Sequence, residues 1–158
     1  MCMGIHTRVL ILGFVSACNV PVCATLAEES GSEETPRAIV LKIDRECKSV
    51  DEARNLWKKV FQMKEDTFSF VVEQITSHSN ALIRAGALGI LPDYGNQSAY
   101  PVALARLRQD PSVMVRKWAI EAIRKIDSKK ALPDFIQALQ RDESPFVRRV
   151  AALALADY

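Results

Sequence analysis

Asp110-Pro-Ser-Val-Met-Val-Arg-Lys-Trp-Ala-Ile-Glu-Ala-Ile-Arg-Lys-Ile126 is the stretch that the rest of the chain copies. Thirty-two residues on, Asp142, Val147, Arg148, Ala151, Ala154 and Leu155 stand in the places of Asp110, Val115, Arg116, Ala119, Ala122 and Ile123. Thirty-two residues back, Ile83, Arg84, Ala87, Ile90 and Leu91 fill the places from Val115 to Ile123. Arg84, Arg116 and Arg148 recur at one interval, each with alanine three residues later, which marks a repeat architecture. The copying extends upstream: Phe68, Tyr100 and Leu132 correspond, as do Val72, Leu104 and Ile136, and Ile75, Leu107 and Leu139, while Pro101 aligns with Pro133. Each unit therefore reads as two apolar-periodic helices joined by a short turn. Such a hairpin cannot bury its apolar faces alone and must stack on its neighbours. The expected fold is all-α, a right-handed α-solenoid of stacked helical hairpins.

The motif Asp-Pro-x-Val-x-Val-Arg-x-x-Ala-x-x-Ala-Ile at 110–123, with Asp-x-Ser-x-x-Val-Arg-Arg-Val-Ala-Ala-Leu-Ala-Leu at 142–155, resembles the short HEAT-like repeats first described in phycobilin lyases. The resemblance covers roughly residues 66–158, as three repeats. The first copy is degenerate, because His78 replaces the aspartate and Gly86 and Gly89 interrupt its second helix. The resemblance implies a HEAT-like or armadillo-type superhelix whose default role is to present a protein-binding surface.

Length and composition allow one domain plus an appendage: 158 residues, of which 49% are apolar, with six glycines and seven prolines. The formal charge of +2 is too small to argue for nucleic acid. Residues 1–27 have the layout of a secretory signal. His6 and Arg8 give a weakly basic start, Val9-Leu-Ile-Leu-Gly-Phe-Val15 is apolar, and small residues surround Pro21. The apolar run is too short for a permanent membrane span of about 20 residues. Cleavage after Ala24 or Ala27 would release a soluble protein, whereas Val15-Ser-Ala-Cys18 resembles a lipobox in which Cys18 becomes the lipidated first residue. Either outcome places the chain in the periplasm or cell envelope, membrane-tethered only if Cys18 is lipidated. If Cys18 is the first residue, Cys23 and Cys47 could pair in an oxidising compartment; with the later cleavages only Cys47 survives.

Glu28-Glu-Ser-Gly-Ser-Glu-Glu-Thr-Pro36 holds four acids, no base and no apolar residue, and reads as a flexible acidic spacer. Residues 37–64 read as an atypical hairpin that caps the stack. Ile39, Val40, Ile43 and Cys47 share one stripe, Ser49 and Glu52 form a capping box, and Trp57 and Phe61 cover the open end of the repeats. Asp66 is expected to cap the next helix, and Asn80 to Leu91 forms its partner. Pro92 to Ser98 is the longest internal loop, turned at Gly95. Asp110-Pro111 and Ser144-Pro145 each place an acceptor before a proline, the pattern of an N-cap followed by the first helical residue.

Among candidate functional residues, Arg84, Arg116 and Arg148 recur on one surface, where Asp110 and Asp142 can pair with the arginine of an adjacent repeat. A structural ladder is the main reading and a ligand-binding basic row the rival. Exposed pairs of this kind contribute about 0 to 1 kcal/mol each, so packing of Val115, Ala119 and Ile123 is expected to supply most of the stability. Trp118 aligns with Gly86 and Val150, so its ring either fills a gap between repeats or forms a partner hot spot. The second-helix surface holding Lys117, Trp118, Glu121, Arg124, Lys125 and Arg149 is the candidate binding face. In the last helix Leu153 and Ala156 replace Glu121 and Arg124, which points to self-association through residues 145–157.

Charge divides unevenly. Residues 28–73 carry eight bases and eleven acids, and residues 84–158 twelve bases and eight acids, so the carboxy-terminal half favours acidic partners. Interleaved aromatics for base stacking are missing, and no nucleic-acid target is expected. His78 is the sole histidine after the signal, and reads as a turn residue. No histidine-rich metal site, glycine-rich phosphate loop or nucleophile elbow is present, so neither a cofactor nor an enzymatic activity is expected. Two functional readings stand: an exported scaffold or adaptor that binds a protein partner, and a subunit of a chromophore-lyase-type or other small-molecule-handling complex.

Overall fold

The computed structural model describes residues 34–63, 66–127, 129–156 and 158. The signal segment with Cys18, and residues 28–33 of the acidic spacer, lie outside the described residues. Within them the chain forms eight α-helices and no strand: α1 (Pro36–Glu46), α2 (Val50–Phe61), α3 (Phe68–Ser77), α4 (Ala81–Ile90), α5 (Ala99–Gln109), α6 (Val113–Asp127), α7 (Leu132–Arg141) and α8 (Pro145–Leu155). Consecutive helices pair into four hairpins. The second helices α2, α4, α6 and α8 stack in one layer, and α3, α5 and α7 follow one another in the other. This is an all-α solenoid of helical hairpins.

Local chemistry sets the helix starts. Thr35 Oγ1 accepts the Ala38 N–H at 3.2 Å, and Pro36 takes the first helical position, where its missing donor costs nothing. The acidic spacer is therefore shorter than expected at its carboxy-terminal end: Thr35 and Pro36 open α1, and Glu34 pairs with Lys59 at 3.1 Å. Ser49 Oγ accepts the Glu52 N–H at 3.3 Å, while Glu52 Oε2 reaches past Ser49 to the Lys48 N–H at 2.8 Å. That Lys48 donor, above all, holds the Glu52 carboxyl below its ordinary range.

Three expectations from local sequence need correction. Asp66 does not cap α3. Its Oδ1 accepts the Phe68 N–H at 3.1 Å in a turn before the helix, while Thr67 occupies the cap position, donates its hydroxyl to Val60 O and accepts from the Tyr94 hydroxyl. Pro92 does not end the helical path. Leu91–Tyr94 continue as a 3₁₀ turn, and only Gly95, at φ 61°, reverses the chain. The reason is the Tyr94 ring, packed edge-on against Phe61 and Phe68 with centroids at 4.9 and 5.4 Å. Finally, Pro111 is not the first residue of α6. Asp110 closes α5, and Ser112 O receives the first helical bond from Arg116 N. Pro145 does open α8, although the Ser144 hydroxyl makes no cap bond.

The seam between the first two hairpins is close-packed at Gly86. Gly86 leaves no room for a side chain: a Cβ there would lie 2.9 Å from Trp57 Cδ1 and 3.0 Å from Ala53 Cβ. Trp57, fully buried, fills that space and donates its indole N–H to Ile83 O at 3.2 Å. The Gly86 gap therefore receives Trp57 and not Trp118, while Trp118 packs against the core and meets Arg54 of the first hairpin. A Cβ at Gly89 would meet the flexible Arg54 side chain, with Cδ at 3.0, Cγ at 3.2 and Nε at 3.4 Å.

The two glycines should thus respond oppositely to alanine. In Gly86→Ala the new methyl opposes a locked indole and a backbone, and overpacking of about 1–3 kcal/mol outweighs the gain in helix propensity of up to about 1 kcal/mol. In Gly89→Ala the Arg54 stem swings aside and the propensity gain remains. Urea unfolding of both variants is expected to show a lowered midpoint for the first and an unchanged or raised one for the second.

Candidate functional site

The repeated arginines act on both sides of their turns. Arg84 Nη1 donates to His78 O and Ser79 O, each at 2.7 Å, closing its own hairpin turn. Its Nε and Nη2 form a fork on Asp110 Oδ2 and Oδ1, each at 2.9 Å, in the following hairpin. Arg116 repeats the pattern, with Nη1 on Asp110 O and Pro111 O and the fork on Asp142 at 2.9 and 3.0 Å. Glu143 adds a second carboxylate at 3.1 Å, and the Asp142 carboxylate above all raises the Arg116 pKa. Arg148 keeps the inner half only, Nη1 donating to Asp142 O and Glu143 O.

These pairs are not the exposed ones that the sequence implied. The side chains of Arg84 and Asp110 are 9% and 0% exposed, those of Arg116 and Asp142 7% and 8%. Burial changes the energetics: a desolvated pair contributes little net stability, yet losing one partner strands a charge. Each aspartate also holds its own turn, since Asp110 Oδ1 accepts from Ser112 N and Asp142 Oδ1 from Ser144 N. His78, as expected of a turn residue, takes over this second task, its Nδ1 accepting from Asn80 N at 3.0 Å.

The other candidate residues gather around Trp118. Lys117, Trp118, Glu121, Arg124 and Lys125 lie on α6, and Arg149 lies on α8 in register with Lys117. Trp118 is half-buried, with Lys117 Nζ 3.9 Å from the ring centroid. Arg54 approaches the same ring at 5.8 Å from α2, two hairpins away, across Gly89. Its position 64 residues before Trp118 was the available signal, hidden because the first hairpin lacks the repeat motif. Glu121 pairs with Arg124 at 2.9 Å, while Lys125 and Arg149 are exposed, Arg149 over the Phe146 ring at 5.1 Å. Leu153, in register with Glu121 and 63% exposed, extends this face in apolar form. The arrangement offers a partly desolvated indole edged by cations, which suits an apolar anchor flanked by carboxylates.

Other features offer less. A groove of 210 Å³ between α5 and α7 is lined by Leu107, Arg108, Asp134, Ala138 and Arg141, without a nucleophile. Cys47 is half-buried and free, and burial above all pushes its thiol pKa up, away from reactivity. Among the described residues no group of three His, Cys, Asp or Glu side chains could hold a metal ion, and no helix is long and apolar enough to cross a membrane.

Residues 68–156, the three hairpins from α3 to α8, match the family model for HEAT repeats. No curated protein and no solved structure matches the chain.

The ladder predicts a hierarchy of stability effects. Asp110→Ala leaves the Arg84 guanidinium buried without its carboxylate and should cost about 3–5 kcal/mol. The joint change Arg84→Met with Asp110→Leu should recover most of that loss. Arg148→Met strands no carboxylate and should cost no more than about 1 kcal/mol. Denaturant midpoints of the three variants test this order, and equal losses for Asp110→Ala and Arg148→Met would contradict it.

Proposed function

The chain belongs to the HEAT-repeat family, and from that premise we propose that it is an exported scaffold which binds a protein partner through its second-helix face. HEAT repeats commonly mediate protein–protein interaction, so a protein partner is the general expectation for this fold. The observation that carries the specific reading is Trp118: an aromatic ring half-buried on α6, approached by Lys117 and Arg54, with Lys125 exposed on the same helix and Arg149 exposed on α8. Large aromatic side chains with arginine neighbours dominate binding energy at interfaces. The surrounding cations suit an acidic partner, in keeping with the basic balance of residues 84–158.

Export rests on residues 1–27, whose weakly basic start, apolar run and small-residue end match a secretory signal. The mass of the mature amino terminus separates two routes: loss of 24 or 27 residues leaves a free soluble protein, and an acylated Cys18 leaves a tethered one.

Photo-crosslinking from position 117 in the native cell tests the binding face. One dominant captured envelope protein is expected. Trp118→Ala should lower that capture about tenfold or more, as hot-spot truncation does. Arg124 and Arg149 changed together to alanine should lower it as well. Capture indifferent to both variants would overturn the assignment of this face.

A further inference from the structure

The second helices carry a row of cations that becomes regular once each helix is aligned by its own start. The first backbone bonds run from Ala53 N to Ser49 O in α2, Arg84 N to Asn80 O in α4, Arg116 N to Ser112 O in α6 and Arg148 N to Ser144 O in α8. The residues that follow these donors are Arg54, Ala85, Lys117 and Arg149, so α2, α6 and α8 place a cation at one shared position. In α4 the position goes to Ala85, wholly buried, and the one ionisable residue of that helix, Arg84, is held by Asp110.

Arg54 crosses this uncharged helix. Its Cδ would lie 3.0 Å from a Cβ at Gly89, one turn beyond Ala85, and its guanidinium carbon lies 5.8 Å from the Trp118 centroid. The indole therefore meets Lys117 from its own helix and Arg54 from a helix two hairpins earlier. Unlike Arg84 and Arg116, Arg54 is left without a carboxylate. Its Nε is buried with no hydrogen-bond acceptor, and among the described residues it joins no ion pair. A guanidinium that has lost part of its hydration, with a ring face as its one attractive neighbour, is strongly drawn to a carboxylate.

We infer that Arg54 is the carboxylate-binding residue of the second-helix face, that Gly89 positions it by letting its stem pass over α4, and that the occupant is an acidic segment of the partner protein. An aspartate or glutamate of that segment meets the Arg54 guanidinium, and an adjoining apolar side chain lies on the Trp118 indole. The inference rests on the second-helix face being the binding surface and names the chemistry that this face selects. Charge complementarity decides the occupant: Arg54, Lys117 and Arg149 share one register, and Glu121, one turn beyond Lys117, is taken by Arg124. The first hairpin, which lacks the repeat motif, thereby becomes part of the recognition site.

The test uses a photo-reactive amino acid at position 117 of the full chain in the native cell, where Arg54 is then the remaining cation at the Trp118 ring, with mass spectrometry mapping the captured peptide. The expected peptide carries aspartate or glutamate beside an apolar residue. Arg54→Met, which keeps an aliphatic stem over Gly89 and removes the charge, should lower capture about tenfold. Gly89→Ala should lower it about threefold or more although its urea midpoint is unchanged or raised, so lost stability cannot mimic the effect. When the partner's acidic residue is replaced by its amide, capture should fall as for Arg54→Met, and neither Arg54→Met nor Gly89→Ala should lower it further. Loss of capture in Trp118→Ala with full capture in Arg54→Met and Gly89→Ala would overturn this inference and leave the binding face standing. Capture indifferent to all three variants, or no capture, would overturn both. A captured segment without an acidic residue, or an Arg54→Met effect that persists against the amide partner, would overturn the carboxylate assignment.

Discussion

A guanidinium taken out of water needs a carboxylate, and the three repeats from α3 to α8 depend on that requirement being met at each of the two seams between them. Arg84 and Arg116 each close their own turn with Nη1 and grip the next turn with Nε and Nη2. One side chain therefore fixes both the shape of a hairpin and the position of its neighbour. The planar fork is what permits this, because its donors point in fixed directions; a lysine would supply charge without the two-sided geometry. The aspartate is equally double, holding its own turn through the N–H two residues on while accepting the fork. His78 shows that the two tasks can be separated, since an imidazole nitrogen performs the first where no arginine asks for the second.

The ladder orders the hairpins, and packing holds them. Val115, Ala119, Ile120 and Ile123 are wholly buried on α6, and Ile83, Ala87 and Leu88 on α4. Small residues set how near the layers come. On α4, Gly86 admits the Trp57 indole and Gly89 admits the Arg54 stem. The second consequence bears on function, because Arg54 crosses α4 to reach the Trp118 ring. A helix with two glycines loses about 1 kcal/mol at each relative to alanine. Here those positions join the atypical first hairpin to the repeats and bring a cation to the candidate binding face.

The 32-residue period carried the fold in the sequence, and it did so because each hairpin meets the same neighbours in the same way. Helical phase, turn positions and the pairing of Arg84 with Asp110 and Arg116 with Asp142 all follow from that regularity. Burial of those pairs does not. Two charges 26 residues apart give no sign of whether water reaches them, which depends on how closely adjacent turns stack. Local capping was misread at Asp66 and Asp110 for a related reason. An aspartate before a helix serves a cap or a turn equally well, and only the partners of Thr67 and Arg84 decide. Arg54 escaped notice because the first hairpin slips by one residue against the repeat, its second helix capped by Ser49 where the period points to Lys48. The gathering of Lys117, Trp118 and Lys125 on α6 was legible from helical spacing alone.

Buried ion pairs and apolar packing divide their roles in a linear stack. Repeats with near-identical apolar faces could pair out of order, since leucine, isoleucine and valine at equivalent positions tolerate exchange. A buried arginine does not. If α3–α4 met α7–α8 directly, Asp142 would receive Arg84, while Asp110 and Arg116 would lose their partners in the stack. Each such loss costs more than the net gain from a correct pair, because the desolvated charge is left uncompensated. The ladder thus acts through what it forbids. Its asymmetry gives the array a direction, with the Arg84 and Arg116 forks each gripping the following hairpin, so the two ends differ in chemistry. One end lacks the repeat's arginine and its aspartate alike, and the other retains Arg148, whose Nε and Nη2 have no acceptor among the described residues.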